Sequence, residues 1–411
     1  DIYRVLNKIK FKRMTEKQLI FNVLLEIYVF IMILDESNFA GYTWVNKIIT
    51  IGKLFILCGL VGYFFKYQNK IKKDVTFYAL LMLLFINVIG MAKSGTEINT
   101  LLFIVFILAS YKNDLEYIYK NFLLAFCFSI LVVIISSKIG IIEDMVNIRY
   151  GEDFLSRLFF YDGRYVRHSF GFLNNNQIPF YLMTCYVMLV AWKKDKLKWY
   201  IHLIIEILNV IIFVRCGSRF VFGIIVLMNI VYYIVPKMNK KVQNIVLVFG
   251  KYAFIFFMLL SIISVIGYKK IPFSVDAFFN FRFTYAYRII QKNGIHLLGM
   301  GFGINTVHSS IGNYEVLDNG YLALLVQRGI IFGGLLIYLW SKTAFKAARK
   351  HNIYLMFALL LLACENFIDY QILSFKFIPL LFVLYNLKDM TVQVAESKTI
   401  KRDRISENEK I

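Results

Sequence analysis

The chain has 411 residues, of which 59% are hydrophobic and 17% aromatic, and its formal net charge is +21. Soluble proteins contain about 45–50% apolar residues, so this composition excludes an ordinary water-soluble enzyme and predicts an integral membrane protein. In a soluble protein the positive charge would suggest nucleic acid as a partner. Here the simpler role of the lysines is to orient membrane helices, and we expect no nucleic-acid partner.

Apolar segments recur along the chain, separated by polar loops. A membrane-spanning helix needs about 20 mostly apolar residues. By this measure the sequence predicts an all-α polytopic membrane protein with about twelve spans, at 17–34, 48–65, 75–92, 100–110, 119–138, 177–192, 199–214, 219–235, 245–267, 320–341, 353–369 and 373–388. We predict a single transmembrane domain over residues 1–389 and a charged cytoplasmic tail over 390–411.

Lysines are concentrated in loops that the span count places on one side. The clusters lie at 8–13, 66–73, 193–198, 237–241, 342–350 and 398–404. Positive charge in short loops favours the cytoplasmic side, so these clusters predict that both termini are cytoplasmic. Two long loops then face outward, at 139–176 and 268–319, and a short outward turn runs from Arg215 to Arg219.

Most arginines fall on the predicted outer side, where orientation rules do not favour positive charge. They are Arg149, Arg157, Arg164, Arg167, Arg215, Arg219, Arg282 and Arg288, with Arg328 further into the tenth span. A guanidinium group binds phosphate through two parallel hydrogen bonds and keeps its charge at any working pH. The pattern therefore predicts a site for an anionic lipid headgroup, in particular a phosphate or diphosphate. The competing interpretation is a set of surface ion pairs and interfacial anchors.

The larger outer loop contains a candidate interfacial helix at residues 278–293. At 100° per residue, Arg282 shares a face with Tyr285 and Ile289, whereas Arg288 lies about 120° away. One helix cannot easily direct both arginines at one phosphate. Arg282 rises from the apolar face and is therefore the better candidate.

The same loop carries a glycine-rich turn at 299–303 and two candidate proton acceptors. The turn is not a dinucleotide fingerprint, because that motif follows a strand in a βαβ unit. It could be a plain turn or a nest of backbone N–H groups. His308 lies among serines and glycine, and Asp318 stands where an aspartate could cap the next helix or act as a base. His168, in the first outer loop, is a third candidate of this kind.

Four stretches resemble one family, the Wzy-type bacterial polysaccharide polymerases of the O-antigen polymerase and ligase superfamily. The stretches are 167–176, where Asn174-Asn175-Asn176 replaces the common His-Pro-Asn ending, the turn 217–219, Arg282 with the glycine turn 299–303, and 318–321 with 329–331. Each is short, but all four fall on the predicted outer side and occur in the family's order. The resemblance covers about residues 160–340 and implies a GT-C-like membrane fold.

The resemblance also implies a reaction and its residues. A hydroxyl of a lipid-linked acceptor would attack the anomeric carbon of the donor sugar, and undecaprenyl diphosphate would leave. The implied base is Asp318 or His308, and the implied diphosphate ligands are Arg167, Arg219, Arg282, Arg215 and Arg164. Secondary contacts would come from Arg288, Asn176 and Tyr321. We expect no cofactor or metal, because the sequence contains no Asp-x-Asp pair, nucleotide loop or His/Cys cluster.

The resemblance places the protein in a bacterial cytoplasmic membrane with an outward-facing site, using undecaprenyl-diphosphate oligosaccharides as donor and acceptor. A chain-length regulator and a flippase are further expected partners. Two alternatives stay open. One is a ligase of the same superfamily, which differs in its acceptor. The other is a transporter of lipid-linked sugars, which would need polar groups through the membrane, for which Glu26, Asn87, Glu206 and Asn209 are the candidates.

Overall fold

A computed structural model describes residues 15–68, 71, 73–94, 98–150, 164–234, 237–278, 281–299 and 317–386. The described helices are α1 (Glu16–Asp35), α2 (Thr43–Tyr67), α3 (Val75–Ser94), α4 (Ile98–Ala109), α5 (Leu115–Lys138), α6 (Gln177–Lys193), α7 (Trp199–Cys216), α8 (Arg219–Ile234), α9 (Lys240–Ile266), α10 (Phe273–Phe278), α11 (Arg282–Asn293), α12 (Gly320–Arg349), α13 (Ile353–Glu365), α14 (Ile378–Leu381) and α15 (Val383–Asn386). The predicted tail lies outside the described residues.

Each predicted apolar segment overlaps a helix. Six helices are long and apolar enough to cross a membrane, namely α1, α2, α5, α7, α9 and α12. The helices α3, α4, α8 and α13 and the segment Phe375–Asn386 are apolar but shorter. The structure agrees with the predicted class of an all-α membrane protein, whereas the count of twelve crossings stays a prediction.

The outside of the bundle carries large apolar side chains that no neighbouring helix covers. Phe55 and Phe65 of α2 are 64% and 73% exposed, and Phe85 of α3 is 64% exposed. A soluble protein rarely exposes apolar surface on this scale, because it would aggregate in water. The exposed rings therefore suit a lipid environment around the helices.

A small second core holds α11 against the bundle. Ala286 and Ile289 of α11 pack with Val265 of α9 and with Leu322 and Val326 of α12, and all five are buried. The spacing of Ala286 and Ile289 places both on one face of the helix. This contact positions the start of α11 beside the start of α12.

The predicted continuous helix over 278–293 is wrong. Phe281 adopts a left-handed conformation, with φ of 58°, so α10 ends at Phe278 and a new helix begins at Arg282. The carboxylate of Asp276 accepts hydrogen bonds from the backbone N–H of Phe283, at 3.1 Å, and from the Thr284 hydroxyl. Asp276 thereby satisfies the N–H group of Phe283, which a continuous helix would have paired internally. Arg282 becomes the first residue of its helix.

The first outer loop contains an antiparallel strand pair that the sequence analysis did not predict. The strand β1 (Val146–Tyr150) pairs with β2 (Arg164–His168), and Asn147 stands opposite Arg167. The hairpin contacts α7. It brings Arg167 next to the carboxyl end of that helix.

The helix α12 is interrupted at Gly329, where φ is 87° and ψ is 170°. The backbone N–H groups of Ile330 and Ile331 donate to the carbonyl oxygens of His296 and Leu297, at 3.0 and 3.1 Å. These bonds replace the intrahelical bonds lost at the break. The segment that leads into the predicted glycine turn is therefore tied to the kink in α12.

Candidate functional site

A polar cavity of about 360 Å³ lies at one end of the bundle. Its walls come from the end of α1, the start of α4, the start of α6, the first part of α12 and the connection that follows α13. Six lining residues carry side-chain amides, namely Asn99, Asn174, Asn176, Gln177, Gln327 and Gln371. The buried amide oxygen of Asn99 makes no hydrogen bond with any described residue. Such a lining can both donate to and accept from a hydroxyl-rich ligand.

Two buried cations stand in the cavity wall. Arg328 is 5% exposed, and its Nη2 donates to the hydroxyl of Thr100 at 2.8 Å. Lys376 is 4% exposed, and its Nζ lies 3.2 Å from Oε2 of Glu36. Glu36 also accepts from the hydroxyl of Tyr181, at 2.6 Å. These contacts hold both cations at the wall, where charge is costly to bury without a purpose.

Arg282 and Asp318 form an ion pair, with 3.2 Å between Nε and Oδ2. Arg282 also donates to the carbonyl oxygen of Ile368. Asp369, in the same connection, lines the cavity, and its carboxylate interacts electrostatically with both Arg282 and Asp318. Asp369 therefore links the pair to the cavity.

The surroundings of these two aspartates shift their titration. Burial raises the pKa of Asp369 to about 6, and repulsion from Asp318 adds to this shift while Arg282 opposes it. Burial also raises the pKa of Asp318, against the opposing charge of Arg282. A carboxylate with a pKa near 6 is well suited to accept a proton at neutral pH.

Asn319, not Asp318, caps α12, so the capping role considered for Asp318 is wrong. The Asn319 side chain accepts from the N–H groups of Tyr321 and Leu322, at 3.1 and 3.0 Å, and donates to the carbonyl oxygen of Phe367 at 2.9 Å. Its side chain thus performs the capping role preferred for short polar residues. The Asp318 carboxylate is left to face Arg282.

Arg167 lies beside the cavity, because it is hydrogen-bonded to Asn176, which lines it. Its Nη2 donates to Oδ1 of Asn176 at 2.6 Å, and its Nε donates to the carbonyl oxygen of Cys216 at 2.5 Å. The second bond satisfies a carbonyl group near the end of α7. Arg167 and Asn176, both candidates from the sequence, are therefore brought together beside the cavity.

The other candidates do not line the described cavity. Arg215, Arg219 and Arg288 are exposed. Tyr321 is fully buried, and its hydroxyl donates to the Ala363 carbonyl at 2.8 Å, so its ring packs in the core where a sugar could not reach it in this conformation. Arg164 belongs to β2, but its side chain, His308 and the glycines at 301 and 303 lie outside the described residues.

His168 faces a different part of the molecule. Its Nδ1 lies 2.8 Å from Oδ2 of Asp144, whose other oxygen accepts from the N–H groups of Ser169 and Phe170. Burial raises the pKa of Asp144, but the hydrogen bonds from His168 and from these amides outweigh it and leave the pKa below its usual value. This network fixes the loop after β2.

Of the four polar residues that the transporter alternative relied on, Asn87, Glu206 and Asn209 hydrogen-bond to neighbouring side chains. Asn87 accepts from Arg328 at 3.4 Å. Glu206 accepts from Asn209, at 3.2 Å, and from Asn229. The bonds to Arg328 and Asn229 join different helices, and such bonds are a usual means of holding a membrane bundle together.

Sequence reasoning missed Asp369, Lys376 and Glu36 as members of one site. The available signal was the polar break at 365–371 inside an otherwise apolar stretch, which the span prediction treated only as an uncertain boundary. Ionisable residues within predicted spans are a default indication of function. In the structure, this polar segment contacts the start of α12, where the N–H of Gly320 donates to the Asn366 carbonyl at 2.7 Å.

Comparisons with known proteins provide no assignment, since the chain matches no protein-family model, no curated protein and no solved structure.

Proposed function

We propose that this protein is a membrane glycosyltransferase that lengthens a glycan carried on a lipid diphosphate, and that the cavity holds the sugars. The observation that carries this proposal is the lining of the cavity, in which amides stand beside two buried cations and the acidic residues Glu36 and Asp369. A side-chain amide can donate a hydrogen bond to a sugar hydroxyl and can also accept one from it. The rings of Phe180 and Phe375, which also line the cavity, offer apolar faces to a sugar.

The cations stabilise the leaving group in this proposal. When the bond between the anomeric carbon and the diphosphate oxygen breaks, negative charge develops on the diphosphate. Arg328 lies at the cavity wall and Arg167 lies beside it through Asn176. Fixed cations in a site with little water stabilise such charge strongly, because they need no reorganisation during the reaction.

Asp369 is the proton acceptor in this proposal. The oxygen of the acceptor hydroxyl forms the new bond to the anomeric carbon, its proton passes to Asp369, and the diphosphate leaves with the bonding electrons. Asp318, which the sequence favoured, is held by Arg282 and acts on Asp369 through its charge. His308 stays a prediction, since it lies outside the described residues.

The membrane arrangement belongs to the same proposal. The polypeptide crosses a bacterial cytoplasmic membrane about twelve times, with both termini cytoplasmic and the cavity facing outward. The sugar donor and acceptor are oligosaccharides on undecaprenyl diphosphate, as the resemblance to the polysaccharide polymerases implies. A chain-length regulator and a flippase would act with the protein in the cell.

An elongation assay tests the proposed function. Protein purified in detergent is incubated with lipid-diphosphate-linked repeat units, and the products are separated by size. A polymerase produces a ladder of longer glycans. A transporter cannot lengthen glycans in detergent, so unchanged repeat units with a preparation that is folded by its thermal unfolding transition would contradict the proposal.

Replacing Arg328 with glutamine should lower the rate of elongation by about 10²-fold, because the transition state loses one fixed cation. The rate is measured in the detergent assay, with thermal unfolding recorded in parallel to separate lost activity from lost structure. Arg349→Gln is the matched control, since Arg349 is exposed near the far end of the same helix. An equal loss in both variants would remove Arg328 from the mechanism.

Replacing Arg282 with glutamine should move the acidic limb of the pH–rate profile to higher pH. The guanidinium group lowers the pKa of both Asp318 and Asp369, so its removal lets both values rise. A base with a higher pKa is deprotonated only at higher pH. The control is Arg288→Gln on the same helix, where the side chain is exposed and the limb should stay in place. An acidic limb that stays in place in Arg282→Gln, or that moves equally in both variants, would refute this coupling.

A further inference from the structure

A second cavity, of about 450 Å³, lies at the opposite end of the same helices. Its walls come from the start of α5, the end of α6, the start of α13 and α15. The helix α6 contributes Gln177 to the first cavity and Lys193 to the second. A helix of 17 residues is about 25 Å long, so the two cavities are separate sites.

The charged side chains that are partly buried in this second cavity are lysines. Lys193 and Lys194 are half-buried, and Lys196 lines the cavity at a more exposed position. The chain reverses at Lys194, where φ is 52°, and this turn brings all three lysines around one space. The carboxylates of Glu116 and Asp195 also line the cavity, but both residues are exposed, so they stand at its rim.

A buried hydroxyl in the cavity wall points to a ligand independently of the lysines. Tyr119 lines the cavity and is 5% exposed. Its hydroxyl makes no hydrogen bond with any described residue. Buried hydroxyl groups are nearly always hydrogen-bonded, because an unpaired one is costly. A ligand oxygen that accepted from Tyr119 would remove this cost.

Most of the remaining wall is apolar. Leu115, Leu355, Val383 and the ring of Trp192 line it, together with one further polar residue, Asn352, whose side chain caps α13 by accepting from the N–H of Leu355 at 3.1 Å. Tryptophan beside lysine is typical of the level at which lipid headgroups meet the hydrocarbon. The lysine pattern of the sequence predicts that this end of the bundle is cytoplasmic.

We propose that this cavity binds the phosphate group of an anionic phospholipid. Lys193 and Lys194 pair with the phosphate, and the Tyr119 hydroxyl donates to one of its oxygens. The apolar wall contacts the glycerol and the first part of the acyl chains. Basic pockets between membrane helices on the cytoplasmic side bind anionic headgroups by the same chemistry. The site is independent of the proposed sugar cavity.

The test measures thermal unfolding of the detergent-purified full chain during titration with phosphatidylglycerol, phosphatidylcholine or inorganic phosphate. We expect phosphatidylglycerol to raise the unfolding temperature, and the other two to have little effect. Tyr119→Phe should measurably weaken the apparent affinity for phosphatidylglycerol. The double variant Lys193→Gln/Lys194→Gln should weaken this affinity about tenfold. Lys240→Gln with Lys241→Gln is the control, since it removes the same charge from exposed lysines at the same end.

Three results would overturn the proposal. If the Lys240/Lys241 control variant weakened the affinity for phosphatidylglycerol equally, the lipid would be attracted only by the overall positive charge of this end of the protein. Equal stabilisation by inorganic phosphate would mean a site for free phosphate and not for a lipid. A response unchanged by both Tyr119→Phe and the Lys193/Lys194 pair would place the lipid elsewhere. Because no glycan is present, none of these results depends on the proposed transferase activity.

Discussion

Asp369→Asn is expected to lower the rate of elongation of the lipid-linked glycan severely while the protein stays folded. Asparagine keeps the shape of the side chain but cannot take up a proton. A positioned general base contributes about 10²–10⁴-fold to the rate, so a loss of this size is expected. The rate is measured by the detergent elongation assay, and thermal unfolding confirms that the variant is intact.

The pH dependence of the unmodified protein provides a second readout for Asp369. The pKa of this carboxyl is raised to about 6, chiefly by burial. Only the deprotonated form can accept a proton, so the rate should fall as the pH drops through about 6. Residual activity of Asp369→Asn should lose this acidic limb.

Two variants make the Asp369 experiment decisive. Glu143→Gln removes an exposed carboxylate at the same end of the bundle, in the loop before β1, and should leave the rate unchanged. Asp318→Asn should lower the rate less than Asp369→Asn, because Asp318 acts through its charge and its ion pair. A full rate in Asp369→Asn would exclude Asp369 as the base. A larger loss in Asp318→Asn would return that role to Asp318.

Gly329→Ala is expected to destabilise the protein by at least about 3 kcal/mol, which combines backbone strain and a steric clash. At φ of 87° and ψ of 170°, the backbone of Gly329 is in a region that only glycine adopts readily. An added Cβ would lie 2.5 Å from the carbonyl oxygen of Leu297. The affected backbone cannot move away easily, because it carries the bonds from Ile330 and Ile331.

The matched control for Gly329→Ala lies five residues further along the same helix. An alanine Cβ at Gly334 would meet no atom within 4 Å, and the backbone there is helical. Glycine is less favourable than alanine in a helix by about 1 kcal/mol, so Gly334→Ala should be neutral or stabilising. The unfolding temperature in detergent and the amount of folded protein measure both effects. Equal stability of the two variants would show that the kink at Gly329 is dispensable.

Gly299→Ala should resemble Gly329→Ala, since the two glycines touch. An added Cβ at Gly299 would lie 2.6 Å from the carbonyl carbon of Arg328. Arg328 stands directly before the kink and lines the proposed sugar cavity. The close approach of the two glycines therefore helps to position the side chain of Arg328, a candidate phosphate ligand. This role differs from the two considered for the glycine stretch from the sequence, a plain turn and a phosphate-binding nest.

Arg282 and Asp318 illustrate how far sequence reasoning could go. Both were candidates because charged groups beside long apolar segments need a reason to be there. Their 3.2 Å contact was not predictable, because it depends on how α11 packs on α9 and α12 through Ala286 and Ile289. The helix break at Phe281, which makes Arg282 the first residue of α11, also depends on a capping side chain several residues earlier.

Asp369 illustrates where sequence reasoning stopped. It lies in a short polar break between two apolar stretches, and hydropathy alone cannot separate a turn between helices from a functional site. Its place in the cavity wall depends on the connection after α13, which contacts Asn319 and Gly320. That contact joins residues about fifty positions apart in the chain, and no local pattern encodes such a distance.

By itself, the sequence determined the class of the protein and the positions of its apolar helices, and it predicted that arginines and lysines lie on opposite sides of the membrane. These properties are local, because transfer into a membrane depends on the composition of each segment. The tertiary structure decided which charged groups meet, which asparagine caps α12 and where α12 breaks. Those outcomes depend on contacts between distant segments, whose side chains become neighbours only after the helices have packed.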